Sequence, residues 1–387
     1  MATRKPISLL KPEDNFAETW PDEPDRFTEE HVDPFLLWCV KQNSSDVTIQ
    51  SDRPVYNEIH GALYPGTFRN LDAADMAIML TKIYGPEALA RLASARDLDI
   101  SYEIRPDRYT RIRFRVNITA ILSRGRDAAQ ITMRVLPSEP PTMEDLGVEL
   151  EVKEAWAPRQ GIVLVTGPTG SGKTTLLAAG NRMLLERPGG CGKMVTYEAP
   201  IEYVYDAIKS PRSLVAQSEI PRHLPGFAHG VRNALRRKPE VILVGESRDR
   251  ETINASIEAA QTGHAVYTTI HTIGVANTIQ RMLSTYDISE REERAIALME
   301  TLRLVVTQSL VPRVTGGRIG VREWMKFPDQ VREKLMDMSF VEWPSEIQRL
   351  IPQYGQTMEK SAELIFEEGI IDRRHYLLLA SSTGTAA

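Results

Sequence analysis

Between Gly161 and Thr272 the chain alternates short, mostly apolar runs with longer stretches of mixed character. The runs "GIVLVT", "KMVTYE", "VILVGE" and "AVYTTIHT" are apolar at successive positions rather than at every second one. Such runs read as strands buried on both faces, and the helical segments between them imply a parallel sheet covered on both sides. Upstream, from residue 31 to 137, the pattern is different. "VDPFLLWCV", "DAADMAIMLTKIY" and "PEALARLASA" read as helices, and "DVTIQ" and "VYNEIHGAL" as strands. "DISYEI" and "RYTRIRFRVNIT" alternate with a period of two, the pattern of strands with one wet face. The expectation is an α+β domain followed by an α/β domain.

Punctuation in the pattern marks the boundaries. Residues 1–30 are rich in Pro, Asp and Glu and read as a solvated acidic arm, with Phe16, Trp20 and Phe27 as its aromatic points of attachment. Residues 138–160 are again rich in Pro and charge, which suits a connection between domains. The α/β domain then runs over 161–325. "SEREERAIALMETLRLVVTQSLV" reads as helical, and residues 326–387 form a helical C-terminal extension without a motif.

Composition narrows the function. A chain of 387 residues with 42% hydrophobic residues can bury substantial cores in two or three domains. The balance of 47 Lys+Arg against 52 Asp+Glu gives a net charge of -5. With no dense basic-aromatic tract, that balance counts against direct nucleic-acid binding. Cys39 and Cys191 are too few for a disulfide framework and read as reduced packing thiols in a cytoplasmic protein. No stretch approaches the roughly 20 apolar residues of a membrane span, so any membrane association is expected to run through partners.

The chemistry is concentrated in "GPTGSGKTT", Gly167 to Thr175, which follows the first buried strand and precedes the helix-forming "TTLLAAGNRMLLE". The spacing of Gly167, Gly172, Lys173 and Thr174 is that of a P-loop. In such a loop, Gly167, Pro168, Thr169, Gly170, Ser171, Gly172, Lys173, Thr174 and Thr175 cradle the phosphates of a nucleotide. Lys173 reaches the outer phosphates, and the Thr174 hydroxyl ligates Mg²⁺. Two carboxylates end later strands, Glu198 in "KMVTYE" and Glu246 in "VILVGE". Acids at the carboxyl ends of parallel strands face the ligand crevice. Glu246 is therefore a candidate for Mg²⁺ or water positioning and Glu198 for polarising water, and the residues alone do not rank the two as general base. His264 and His271 flank "AVYTTIHT", and His264, beside Gly263, is the candidate sensor of the terminal phosphate. By itself "RYTRIRFRV" is the basic wet face of a strand.

In order and spacing, "GPTGSGKTT", "TYEAPIEYVY", "ALRRKPEVILVGESRDRET" and "TGHAVYTTIHT" resemble the Walker A, Asp box, Walker B and His box of the PilT-like secretion and pilus ATPases. The likeness is greatest to the type IVB branch, the Dot/Icm ATPase DotB and the conjugative ATPase TraJ. It covers about residues 34–325, including "SSDVTIQ", "RIRFRVN", "TMRVLP" and "SLVPRVTGGRIGVRE". The resemblance implies a PAS-like N-terminal domain and a RecA-like motor domain, assembled as a homo-hexamer. It further implies ATP and Mg²⁺ as cofactors, and inner-membrane components of a secretion or conjugation apparatus as partners. Carried over, Glu198 becomes the water-activating glutamate, Glu246 the Walker B acid and His264 the His-box residue. Arg113, Arg115 and Arg134 become arginines presented to the nucleotide. The alternatives are a pilus-retraction motor and a nucleic-acid-translocating ATPase. Two boxes depart from the family pattern: Glu198-Ala199-Pro200 replaces Glu-Asp-Pro, and Lys238 brings a basic residue into the lead-in to "PEVILVGE".

Overall fold

The computed structural model of the chain describes residues 19–108, 110–137 and 139–382. They fall into two compact units. One holds the described residues up to Pro137 together with Pro200–Tyr203, and the other holds Glu139–Ala199 and the described residues from Val204 on.

The first unit is a six-stranded antiparallel sheet with helices. Its elements are α1 (Glu29–Lys41), β1 (Asp46–Gln50), β2 (Tyr56–Ile59), β3 (Ala62–Pro65), α2 (Ala73–Ile83), α3 (Ala88–Ala93), β4 (Leu98–Ile104), β5 (Ile112–Ser123) and β6 (Arg126–Leu136). The strand order is β3-β2-β1-β6-β5-β4. The alternation along β5 buries Phe114, Val116 and Ile118 against α1 and α2 residues such as Phe35 and Met79. Helix α2 starts where Asp72 accepts the Ala74 and Asp75 amides at 2.8 and 2.9 Å, an N-cap that stops the helix extending upstream. The acidic arm is not wholly solvated. Trp20 and Phe27 are buried and stacked with ring centroids 6.1 Å apart, because two large aromatics gain more from burial than the surrounding charges lose at the surface. Phe16 lies outside the described residues.

The second unit contains α4 (Leu150–Ala155), β7 (Gly161–Thr166), α5 (Lys173–Glu186), β8 (Gly192–Glu198), β9 (Ser213–Glu219), α6 (Phe227–Ala234), β10 (Val241–Val244), α7 (Arg250–Gln261), β11 (Ala265–Ile270), α8 (Val275–Ser284) and α9 (Arg291–Thr301). It continues with β12 (Leu302–Pro312), β13 (Arg318–Lys326), α10 (Asp329–Met336), α11 (Trp343–Tyr354), β14 (Gly355–Gln356), α12 (Met358–Glu367) and α13 (Arg373–Ser382). The sheet order is β14-β13-β12-β7-β11-β10-β8-β9. Strands β12 to β9 in that order run parallel, and β13 and β14 add an antiparallel edge. Every residue of β7, β10 and β11 is buried, as the unbroken apolar runs require.

One expectation needs correction. "LRLVVTQSLV" is not the tail of a helix: the helix ends at Thr301, and Leu302–Pro312 is a strand paired to β7. Leu302, Leu304, Val305, Val306, Thr307 and Val311 are buried on both faces of the run, which suits a sheet interior better than a helix with one wet face. Residues 139–160 group with the second unit. Met143, Val148, Val152 and Trp156 are buried in the second unit, and the Tyr267 hydroxyl donates to the Trp156 carbonyl at 2.5 Å.

Candidate active site

The P-loop lies between the carboxyl end of β7 and the first turn of α5. Its conformation depends on two glycines. Gly172 has φ +80°, and a Cβ there would sit 2.9 Å from Gln308 Nε2. Gly167 has φ +143°, and a Cβ there would sit 2.2 Å from the Gln308 carbonyl oxygen. No other residue satisfies both the backbone angle and the space. Gln308, on the neighbouring β12, donates through Nε2 to the Ser171 carbonyl at 2.7 Å. It accepts in turn from Arg322 Nε at 2.8 Å. Arg322 is buried and also donates to the carbonyls of Leu146 and Gly147 at 2.9 and 3.0 Å. Burial pulls its guanidinium below the ordinary range, against the opposing charge of Glu149. A strand outside the P-loop motif therefore fixes the loop's shape.

The Lys173 ammonium is turned onto the loop's own carbonyls, donating to Gly167 and Pro168 at 2.9 Å each. Its Nζ also lies 3.3 Å from His271 Nδ1, and His271 Nε2 lies 3.5 Å from Glu246 Oε1. With the proton on Nε2, the imidazole accepts from the lysine and faces the carboxylate with its N–H, so one ring joins the two charged groups. Strand ends explain the meeting. Lys173 follows β7, Glu246 stands two residues beyond β10, and His271 directly follows β11, all at the carboxyl edge of parallel strands.

Glu198 closes β8 at the same edge, buried, with Oε1 accepting from Thr196 Oγ1 at 2.6 Å and Gln217 Nε2 at 3.0 Å. The Gly245 amide donates to the Tyr197 carbonyl at 2.7 Å, which ties the lead-in of Glu246 to the strand that carries Glu198. The two carboxylates belong to adjacent strands, and two donors orient Glu198.

His264 is elsewhere. It precedes β11, its carbonyl accepts from the Gly161 amide at the start of β7, and its Nδ1 lies 3.0 Å from the Ala259 carbonyl. The length of β7, roughly 17 Å at about 3.3 Å per residue, separates that edge from the P-loop. His264 thus lies at the opposite end of β11 from the P-loop, whereas His271 stands between Lys173 and Glu246.

The three arginines lie in the first unit in different settings. Arg113 is buried, and its Nη1 and Nη2 donate to the Glu202 and Ile201 carbonyls at 2.8 and 2.7 Å. It holds the segment Pro200–Tyr203, which folds with the first unit. Arg115 pairs with Asp99 at 2.9 Å and lies 3.7 Å from Glu202, and Arg134 pairs with Asp46 at 2.9 Å near the surface.

The residues present fit a nucleotide. Ser171 Oγ and Arg313 Nε are buried without a hydrogen-bond partner, an arrangement that a polar ligand would satisfy. Beside Gly172 and Thr175 opens a groove of about 290 Å³, bordered by Asp145, Leu310, Arg313 and Arg318, adjoining the cradle where a nucleoside would continue from the phosphates. No local signal in the sequence pointed to Gln308, Arg313 or Arg322 as parts of this site. Among the described residues no group of three or more His, Cys, Asp or Glu could hold a metal ion by itself. A Mg²⁺ here would depend on Thr174, Glu246 and ligand oxygens, as in other P-loop sites. No helix among the described residues is long and apolar enough to cross a membrane.

Fold and loop together are those of a P-loop nucleotide-binding domain. Residues 22–333 match the family described as Type II/IV secretion system protein, and the chain belongs to that family. It is 31% identical over 346 residues to the type IV pilus retraction ATPase PilT of Pseudomonas aeruginosa, covering 89% of this chain and 96% of that one. The Neisseria gonorrhoeae twitching motility protein is 33% identical over 334 residues, with 86% and 85% covered. Among solved structures, the ATPase DotB of Legionella pneumophila superposes with a TM-score of 0.88 at 47% identity, covering 94% of this chain and 98% of DotB. The pilus retraction motor PilT with bound ADP superposes with a TM-score of 0.77 at 29% identity, covering 89% and 95%.

Proposed function

We propose that the chain is a Mg²⁺-dependent ATPase that works in the cytoplasm as a homo-hexamer and powers a type IVB secretion or conjugative apparatus through inner-membrane partners. The observation that carries this reading is the near full-length likeness to DotB, at 47% identity. The hydrolytic part rests on the chain's own groups.

In this reading the P-loop amides and Lys173 receive the phosphates, and Lys173 exchanges its two carbonyl partners for the stronger phosphate contact. Thr174 and Glu246 would hold Mg²⁺, which when bound would neutralise charge on the transferring phosphoryl group. Glu198, oriented by Thr196 and Gln217, takes the proton of the attacking water. His271 positions Lys173 against Glu246. Arg115 and Arg134 supply the arginines presented to nucleotide, and Arg113 acts by position through Ile201 and Glu202.

A pilus-retraction motor is the second reading, favoured by the likeness to PilT of Pseudomonas aeruginosa. Deleting the gene in its host separates the two. Lost substrate transfer with intact twitching supports the first reading, and lost twitching with intact transfer supports the second.

A further inference from the structure

Arg322 and Glu323 are consecutive on β13, so their side chains leave opposite faces of the sheet. Arg322 serves the P-loop through Gln308. Glu323 faces the helices. It is buried, its Oε1 accepts from the Val275 amide at 2.7 Å, and its carboxylate also faces the Met358 amide.

Those amides open two different helices. Val275 is the first residue of α8 and Met358 the first of α12. The cap residue of α8 is Gly274, which has no side chain to satisfy the opening amides, so a carboxylate from another strand takes that part. The same charge sits at the positive ends of two helix dipoles. Burial pushes the Glu323 carboxyl up, against the two amides. That cost is offset only while both helices remain in place.

The position of α8 gives the contact its meaning. Its first residue follows His271 by four positions, and the intervening loop is closed by a 2.6 Å contact between the hydroxyls of Thr272 and Thr278. On the other side, α12 is tied to β13 a second time, where the Arg322 amide donates to Ser361 Oγ at 3.1 Å. The loop that carries His271 and the first turn of the C-terminal helix α12 thus share one buried carboxylate.

We propose that Glu323 is a positioning residue that couples the C-terminal helices to the hydrolytic site, so that a displacement of α12 displaces the loop His271–Gly274. This inference rests on the hydrolytic reading of the site. It makes α12 and α13 a control element: a partner that engages these helices sets turnover without touching nucleotide.

The test compares wild type, Glu323→Gln and Ser361→Ala by steady-state phosphate release and by amide hydrogen exchange of the nucleotide-free protein. Gln keeps an acceptor for one amide and presents its NH₂ to the other. The expected result is a kcat lower by about tenfold with KM within about twofold, since small misplacements of a reacting group are costly. Exchange should rise together at the first turns of α8 and α12. Ser361→Ala, which loosens α12 without altering Glu323, should lower kcat in the same direction by a smaller factor. It carries the test if Glu323→Gln fails to fold. A kcat unchanged in both variants, or exchange that rises at α12 and not at α8, would overturn the coupling. A wild type without turnover removes the hydrolytic reading instead, and the exchange data then decide whether the two helices move as one.

Discussion

Lys173 Nζ stands 3.3 Å from His271 Nδ1, and the far nitrogen of the same ring stands 3.5 Å from Glu246. One imidazole therefore joins the P-loop cation to the acid beyond β10. His271→Ala should lower kcat by about a hundredfold, the scale of losing one positioned polar group in a phosphoryl-transfer site. His264→Ala should leave kcat within about twofold, because its partner is the Ala259 carbonyl of α7, beside the end of β11 remote from the P-loop. Phosphate-release kinetics on the two variants check the assignment, and a larger loss in His264→Ala would reverse it.

Arg322 is the second testable point. It holds Gln308 and the carbonyls of Leu146 and Gly147 from a buried position. Arg322→Met removes the donor those acceptors share and the cation that faces Glu149, and should cost about 3–5 kcal/mol in thermal unfolding. Gln308→Leu should be milder in stability. It should nevertheless weaken nucleotide binding several-fold, by freeing the Ser171 carbonyl and with it the loop. Fluorescent-nucleotide titration separates the two effects.

The first unit should unfold in acid in a way that one residue reports. Asp75 accepts from Arg69 Nη1 at 2.6 Å and from the Phe27 and Asp72 amides at 3.1 and 3.2 Å. Burial opposes its charge, and the Arg69 hydrogen bond with the two amides outweighs burial, so its carboxyl lies below the ordinary range. Between the ordinary and the lowered value the unfolded chain binds more protons than the folded one. The stabilisation is therefore present above the ordinary carboxyl range and is lost as pH falls through the lowered value. Asp75→Asn should lower Tm at neutral pH by about 2–8 °C and flatten the acid side of the Tm profile. An unchanged acid slope would contradict this.

Two arginines of the first unit should behave oppositely. Arg113→Ala leaves the Ile201 and Glu202 carbonyls without their donor and should cost about 2–3 kcal/mol. Arg134→Ala removes a pair whose arginine side chain is 68% exposed, and should change stability by less than about 1 kcal/mol. A loss of turnover in Arg134→Ala at unchanged Tm is then a direct sign of contact with nucleotide.

The residues of the site differ in how far they could be read from the chain alone. The P-loop is legible because its parts are neighbours in sequence and its strand and helix adjoin it. Glu198 and Glu246 follow from the rule that parallel strands present their carboxyl ends to the ligand. The same rule selects His271 over His264, whereas proximity to a glycine points to the wrong end of the strand. Gln308 and Arg322 had no local mark, since their roles depend on β12 pairing with β7 across more than a hundred residues, with β13 brought alongside β12 as the next strand. The β-branched run of β12 and the burial of Trp20 and Phe27 were decided by tertiary packing, which local composition does not encode.

The most direct measurement is steady-state phosphate release with mass photometry on the same samples of wild type, Lys173→Ala and Glu198→Gln. The account predicts turnover by wild type in assemblies of about six chains. It predicts lost nucleotide binding in Lys173→Ala, and retained binding with turnover lower by about a hundredfold or more in Glu198→Gln. Undiminished turnover in Glu198→Gln would contradict it and transfer the role of base to Glu246.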